Sequence, residues 1–224
     1  MWLFMSSYLY RALESDEYSE RADVFGIDYY RREGCGEDRF SRELVWLYVY
    51  GDEDLKKKYS KKFSSLINQV FVEDSVDWDI ISLYPTSTKN DVNSNLEDIV
   101  EQCADQEDLE KRQVVRRTRN ISDNHEIEGF SEKVVNLEGS IDVDDLDGKN
   151  VILVDNITLS GASFLHATEK LKEHGANRVA CLCLGLGING EVVDEDTGDR
   201  TASKVIEDRD SSVKARSLAR GRMN

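Results

Sequence analysis

The chain has no glycine fingerprint behind a first strand and no glycine, lysine and serine or threonine grouped as a phosphate-binding P-loop. A dinucleotide fold and a P-loop nucleotidase are therefore not indicated. Its four cysteines, Cys35, Cys103, Cys181 and Cys183, show neither paired metal spacing nor the density of a stapled secreted domain, and they read as reduced thiols. Cationic charge is scarce: 29 Lys and Arg stand against 45 Asp and Glu in 224 residues, a formal net charge of -16. General attraction to nucleic acid or to an anionic membrane is not expected from such a chain. Long apolar runs are missing too. The opening MWLFMSSYLYRALE turns polar too early to cross a bilayer and lacks the basic lead and small-residue cleavage site of a signal peptide. A cytoplasmic protein with no membrane partner is the expectation.

What is present points to an α/β domain with one principal core, for which the length suffices. Val151 to Val154 form an apolar run suited to a strand buried on both faces of a parallel sheet, with Asp155 emerging at its carboxyl end. An ionised Asp155 can accept hydrogen bonds from vicinal sugar hydroxyls. Thr158, Ser160, Gly161, Ala162 and Ser163 are mostly small, and they open into an expected helix over SFLHATEKLKEHGA. Backbone N–H groups at a helix N-terminus attract phosphate. Within that helix Phe164, Ala167, Thr168 and Leu171 share a face, whereas His166 and His174 are assigned to the surface or the helix end. Arg178 to Leu184 returns as a buried strand carrying Cys181 and Cys183 on one face.

Upstream, Trp78 to Tyr84 reads as the first strand of the main sheet, followed by the polar turn Pro85, Thr86, Ser87, Thr88 and Lys89. Ligands of open α/β sheets gather beyond the carboxyl ends of strands, so this turn and the Asp155 loop are expected to face one crevice. Asn93 to Ala104 reads as a helix with Leu96, Ile99, Val100 and Cys103 inward. Lys111, Arg112, Arg116, Arg117 and Arg119 form a concentrated cationic segment, which suits an anionic ligand or pairing with the abundant carboxylates. Residues 1–76 read as a mainly helical extension, with a possible strand at Leu44 to Tyr50 and a helix striped by Leu55, Tyr59, Phe63, Leu66 and Val70. The lysines of that helix are a solvated face or a polyphosphate contact. GLGING, Gly185 to Gly190, suits a tight bend near a nucleotide base or a plain turn, and residues 191–224 read as a polar tail.

On VILVDNITLSGAS the chain resembles the type I phosphoribosyltransferases, whose signature is an apolar strand, two acids and a threonine- and glycine-rich loop that holds the 5-phosphate of phosphoribosyl pyrophosphate (PRPP). Asp155 matches the first acid, Asn156 replaces the second, and Leu159 replaces the first threonine of the loop. Arg117, Asn120 and Phe130 fit the R-x-x-N and downstream phenylalanine of the ComF-like branch, over a resemblance that covers roughly residues 40–185. The paired-cysteine zinc site of that branch is missing, since Cys35 stands alone.

The resemblance implies a Rossmann-like parallel sheet flanked by helices over residues 77–190. It assigns Thr158, Leu159, Ser160, Gly161, Ala162 and Ser163 to the 5-phosphate, Thr86, Ser87, Thr88 and Lys89 to pyrophosphate, and Asp155, Asn156 and Arg117 to catalysis. Magnesium would arrive mainly with PRPP, with Asp155 as a ligand in addition, and residues near 118–135 would form a flap closing over the site. The implied activity is phosphoribosyl transfer from PRPP to a nitrogenous base or amine, with PRPP or a nucleoside monophosphate as the bound partner, in a chain that a homodimer would suit. The alternative is a PRPP- or nucleotide-binding regulator without turnover, linked to DNA uptake or processing.

Overall fold

The structure, a computed structural model, describes residues 8–31, 38–69, 76–124 and 126–187. Two strands come first, β1 (Leu9–Leu13) and β2 (Ala22–Tyr30), then helices α1 (Arg39–Tyr50) and α2 (Glu53–Ile67). Strand β3 (Ile80–Leu83) leads to α3 (Ser94–Glu107) and the short β4 (Glu110–Lys111). There follow β5 (Val115–Arg117), α4 (Phe130–Leu137), β6 (Ile141–Val143), β7 (Asn150–Thr158), α5 (Ala162–Glu173) and β8 (Arg178–Gly187).

The main sheet has the order β1-β2-β8-β7-β3-β4. It is parallel throughout except for β1, which pairs antiparallel with β2 at one edge. Alternation along β7 divides the core in two. Ile152 and Val154 pack with α1, α2 and α3, while Val151 and Leu153 pack with α5 and with the β5–β6 ribbon on the other face. A strand apolar at every position from Val151 to Val154 needs such cover on both sides. The α/β class and the parallel sheet flanked by helices are as the sequence implies.

Several expectations are corrected. The mainly helical extension over residues 1–76 contains α1 and α2, but β1 and β2 precede them, and β2 pairs in register with β8 from Val24↔Cys181 to Tyr30↔Gly187. The sheet therefore runs across the boundary expected at residue 76, and β3 is its third strand in chain order rather than its first. Leu44 to Tyr50 is helical, not a strand. Asp38 accepts a hydrogen bond from the Ser41 N–H (2.7 Å) at one end, and Gly51 closes the other at φ 64°, so capping and the inward spacing of Ser41, Leu44 and Leu47 outweigh the β-branched and aromatic composition.

Gly185 to Gly187 continue β8 instead of bending. A Cβ on Gly185 would meet the Tyr30 Cβ at 2.8 Å and Leu44 Cδ1 at 3.0 Å, so glycine there lets α1 approach the sheet. His166 is buried in α5, 4% exposed, because it faces the sheet side of the helix beside Tyr18. His174 is the C-cap of that helix, as expected. Cys35, Val70 and residues 188–224 lie outside the described residues, and among the described residues no helix is long and apolar enough to cross a membrane.

Leu153 is fully buried between β3 and β8. Leu153→Ala should lower unfolding stability by about 2–5 kcal/mol, read by denaturant titration with an unchanged slope.

Candidate sugar-phosphate site

The site originates in unequal strand lengths. Pairing of β3 with β7 ends at Leu83↔Val154, with the Tyr84 N–H donating to the Val154 carbonyl (2.8 Å), whereas β7 remains paired with β8 as far as Thr158↔Leu186. The edge of β7 beyond Val154 thus has no β3 neighbour. The strand does not stop at Asp155, as the sequence suggested; it carries Asp155 past the end of its neighbour. The helices that follow β3 and β7, α3 and α5, cover opposite faces of the sheet. This is the strand-order switch beside which ligands bind in open α/β sheets.

A cleft of roughly 340 Å³ opens there. Tyr84, Pro85, Thr86 and Ser87 line it after β3, and Asp155, Asn156 and every residue from Thr158 to Ser163 line it from β7 into α5. Arg117 reaches it from β5, and Ile121, Asp123, Asn124 and Lys133 from the segment expected to be a flap. Of the residues assigned to the 5-phosphate, to pyrophosphate and to catalysis, only Thr88 and Lys89 are absent from the lining; both are exposed.

Asp155 is partly buried, and its carboxylate accepts from the Asn156 N–H (2.8 Å). Desolvation pushes its pKa up to about 7, against the lowering effect of that hydrogen bond and of Arg117. Asn156 turns its carbonyl oxygen to the Ile157 N–H (2.7 Å). Leu159 supplies no polar atom, and its Cδ2 would lie 2.2 Å from a Cβ on Gly187, so it packs over β8 at a position that demands glycine opposite. Gly161 is the N-cap of α5 at φ 80°, and the helix has no side-chain cap. The Ala162 N–H donates to Ser160 Oγ at 3.4 Å, and the amides of Ser163 and Phe164 that follow are placed to face an anion. A Cβ at Gly161 would meet Leu13 Cδ1 at 2.3 Å, so β1, which the sequence did not reveal, also holds the loop that opens α5.

Arg117 is 1% exposed. Its Nε donates to the Thr86 carbonyl (2.9 Å), Nη1 to Ser140 Oγ (2.6 Å) and Nη2 to the Pro85 carbonyl (3.4 Å), while its own carbonyl accepts from the Asn90 N–H (3.2 Å). It braces the Pro85–Asn90 turn, and among the described residues no carboxylate lies within ion-pair distance. Asn120, the other residue of the R-x-x-N pattern, accepts from the Lys89 N–H (2.8 Å). The rest of the cationic segment is engaged elsewhere: Lys111 with Glu97 and Glu101, Arg112 with Glu110, Arg116 with Asp144, and Arg119 with the carbonyls of Asn136 and Glu138. Lys56 and Lys58 of α2 likewise meet Glu53, Asp98 and Glu43.

Burial raises the thiols of Cys103, to about 11, and Cys181, to about 12, which makes neither a nucleophile near neutral pH. Among the described residues no three His, Cys, Asp or Glu side chains gather as a metal cage. The acids on the cleft, Asp155 and Asp123, suit a magnesium ion that keeps water and phosphate oxygens as its other ligands. Tyr84, Asp123, Asn124 and Lys133 were not singled out individually in the sequence; only Tyr84, directly before Pro85 at a strand end, carried a local signal.

No protein-family model matches the chain. A stretch of 41 residues is 49% identical to a uracil phosphoribosyltransferase of Corynebacterium urealyticum, a match that spans 18% of this chain and 19% of that protein. Over this stretch the chain is similar to a phosphoribosyltransferase. Among solved structures, the adenine phosphoribosyltransferase of Saccharomyces cerevisiae, complexed with an imino-altritol bisphosphate and adenine, aligns with a TM-score of 0.39 and 16% identity. That alignment covers 62% of this chain and 72% of the yeast chain.

The raised pKa of Asp155 has a stability consequence. Between the unfolded carboxylate value, about 3.9, and about 7, the unfolded chain ionises while the folded one does not. The folded state is therefore penalised progressively as pH rises through that window. Asp155→Asn removes the penalty: its melting temperature should exceed that of the wild type by several degrees near about pH 8, and the gain should vanish by about pH 4. A constant difference across that range would contradict the burial of this carboxylate.

Proposed function

We propose that the protein binds PRPP with magnesium in this cleft and transfers the phosphoribosyl group to a nitrogenous base. The observation that supports the reading most is the meeting of three elements on one cleft: a carboxylate beyond the end of β3, the uncapped N-terminus of α5, and the braced turn after Pro85. In this reading ionised Asp155 accepts from the ribose hydroxyls, and the backbone from Ser160 to Ser163 cradles the 5-phosphate. Thr86 and Ser87, together with the neighbouring backbone held by Arg117, face the pyrophosphate. Thr88 and Lys89 would join only if the exposed end of the turn moved inward.

In the transfer, a nitrogen of the acceptor forms a bond to the anomeric carbon as the carbon–oxygen bond to pyrophosphate breaks, and pyrophosphate carries away the bonding electrons. Positioning and electrostatics supply most of the rate in such a step. Asp155 and Asp123 would be the residues on the cleft to hold magnesium arriving with PRPP, and the ion would supply positive charge for the pyrophosphate leaving group. Asp155 must be ionised to serve the ribose, so ligand affinity should rise with pH through about 7. The acceptor would occupy the end of the cleft walled by Tyr30, Leu44, Leu47 and Tyr48, which suits a flat base better than a small amine.

A non-catalytic PRPP- or nucleotide-binding regulator, linked to DNA uptake or processing as the ComF-like resemblance suggests, is the second reading. Asn156 favours it, since an amide turned onto its own backbone supplies no second negative charge to the ribose and metal.

Calorimetric titration with PRPP and magnesium, followed by a pyrophosphate-release assay across candidate bases, separates the two. Binding with release supports the transferase, binding alone supports the regulator, and no binding removes both. Asp155→Asn should weaken PRPP about 10- to 100-fold through lost charge-assisted hydrogen bonds. Gly161→Val should also weaken it, by displacing the N-terminus of α5 against Leu13. In a transferase, Asn156→Asp should raise the rate of pyrophosphate release; a lower rate would count against the missing carboxylate as the limiting defect.

A further inference from the structure

Tyr84 places a hydroxyl where the fold alone has no use for it. The residue lines the cleft and is 7% exposed, yet its buried hydroxyl makes no well-formed hydrogen bond, although Arg117 and Ser163 lie close enough to act on it. Such a group destabilises the free protein, and phenylalanine would fill the same space without that cost. The ring is held firmly: the Tyr84 N–H donates to Val154 (2.8 Å), and the Arg117 guanidinium lies 5.2 Å from the ring centroid.

The polar groups nearest to act on the hydroxyl are Arg117 and Ser163, with Asp155 a weaker influence. Arg117 can only donate, whereas a hydroxyl can also accept, so Ser163 is the group able to accept a proton from Tyr84. Ser163 stands in the uncapped first turn of α5. Its Oγ presently accepts from Asn124 Nδ2 (3.2 Å), and Asn124 is itself tied to Asn136 (2.8 Å). The Ser163 hydroxyl is therefore engaged by Asn124 in the free protein.

We propose that Tyr84 is a positioning residue for the phosphate of a sugar phosphate: with an anion at the first turn of α5, Ser163 donates to the anion and Tyr84 donates to the Ser163 oxygen that Asn124 releases. This rests on the sugar-phosphate reading of the cleft. Two hydroxyls in series strengthen one another, because a donor that also accepts is more polarised. The unpaired state of Tyr84 in the free protein is then the state that ligand relieves.

The test is a double-variant cycle read by calorimetry with PRPP and magnesium, and separately with inorganic pyrophosphate and magnesium. Tyr84→Phe should weaken PRPP about five- to tenfold while leaving pyrophosphate within about twofold, and its melting temperature should not fall. Combined with Ser163→Ala, it should cost no more than Ser163→Ala alone, since the hydroxyl acts through Ser163. Wild-type affinity for PRPP in Tyr84→Phe, an equal loss for pyrophosphate, or losses that multiply in the double variant would overturn the inference while leaving the cleft assignment standing. Failure of the wild-type protein to bind PRPP would remove both.

Discussion

Backbone pairing between β3 and β7 ends at Val154, while β7 goes on for four further residues paired only with β8. That one-sided extension is the constraint from which the rest of the site derives. Had β3 matched β7 in length, the edge beyond Val154 would be covered, and Asp155 would face a neighbouring strand instead of a cleft. Because α3 and α5 leave the two strands toward opposite faces of the sheet, no helix covers the gap. The turn after Pro85 borders it instead, and a turn is only as well placed as its supports. Arg117 from β5 provides them, with hydrogen bonds to two carbonyls of that turn.

The same arrangement sets the electrostatics. Asp155 is withdrawn from water on one side by α5 and the sheet, so its charged form is disfavoured although Arg117 acts on it. Arg117 is a buried cation whose hydrogen bonds go to neutral groups. Beside the carboxylate of Asp123, the cleft holds an acid whose ionisation is disfavoured by burial, a buried guanidinium and a helix N-terminus without a side-chain N-cap, in a chain whose overall charge is -16. An incoming phosphate meets long-range repulsion and short-range attraction, and salt screens the first more than the second. On the proposed reading, selectivity for anions at this place would come from the local geometry and not from the composition.

The division between legible and hidden features follows from the range of the interactions. Val151 to Val154, Asp155 and the small residues up to Ser163 were readable because strand, acid and helix start are consecutive, and their order reflects local physics. The helices after Asn93 and Gly161 were readable for the same reason, through caps and spacing. The helix at Leu44 to Tyr50 was not, because its composition favours a strand, and the caps at Asp38 and Gly51 with the inward spacing of Ser41, Leu44 and Leu47 decide otherwise. Buried His166 was misplaced since the helical face that meets the sheet is wide enough to include it beside Ala162, Leu165 and Thr168. The cationic segment misled in a similar way. Five basic residues in a row of nine look like one site, but alternation and turns point them at different partners, and only Arg117 arrives at the cleft.

What the sequence by itself determined is the chemistry on offer: a buried parallel strand, one carboxylate where the family resemblance has two acids, a small-residue loop opening a helix, and a polar turn after Pro85. Tertiary structure decided which of these meet and in what state. It lengthened β7 past β3, brought Leu13 of β1 onto Gly161, turned Arg117 into a brace and left the Tyr84 hydroxyl unpaired beneath α5. The reason is distance along the chain: Leu13 and Gly161, or Pro85 and Arg117, interact only after the sheet has assembled, and no local pattern of residues encodes a contact whose geometry belongs to the sheet.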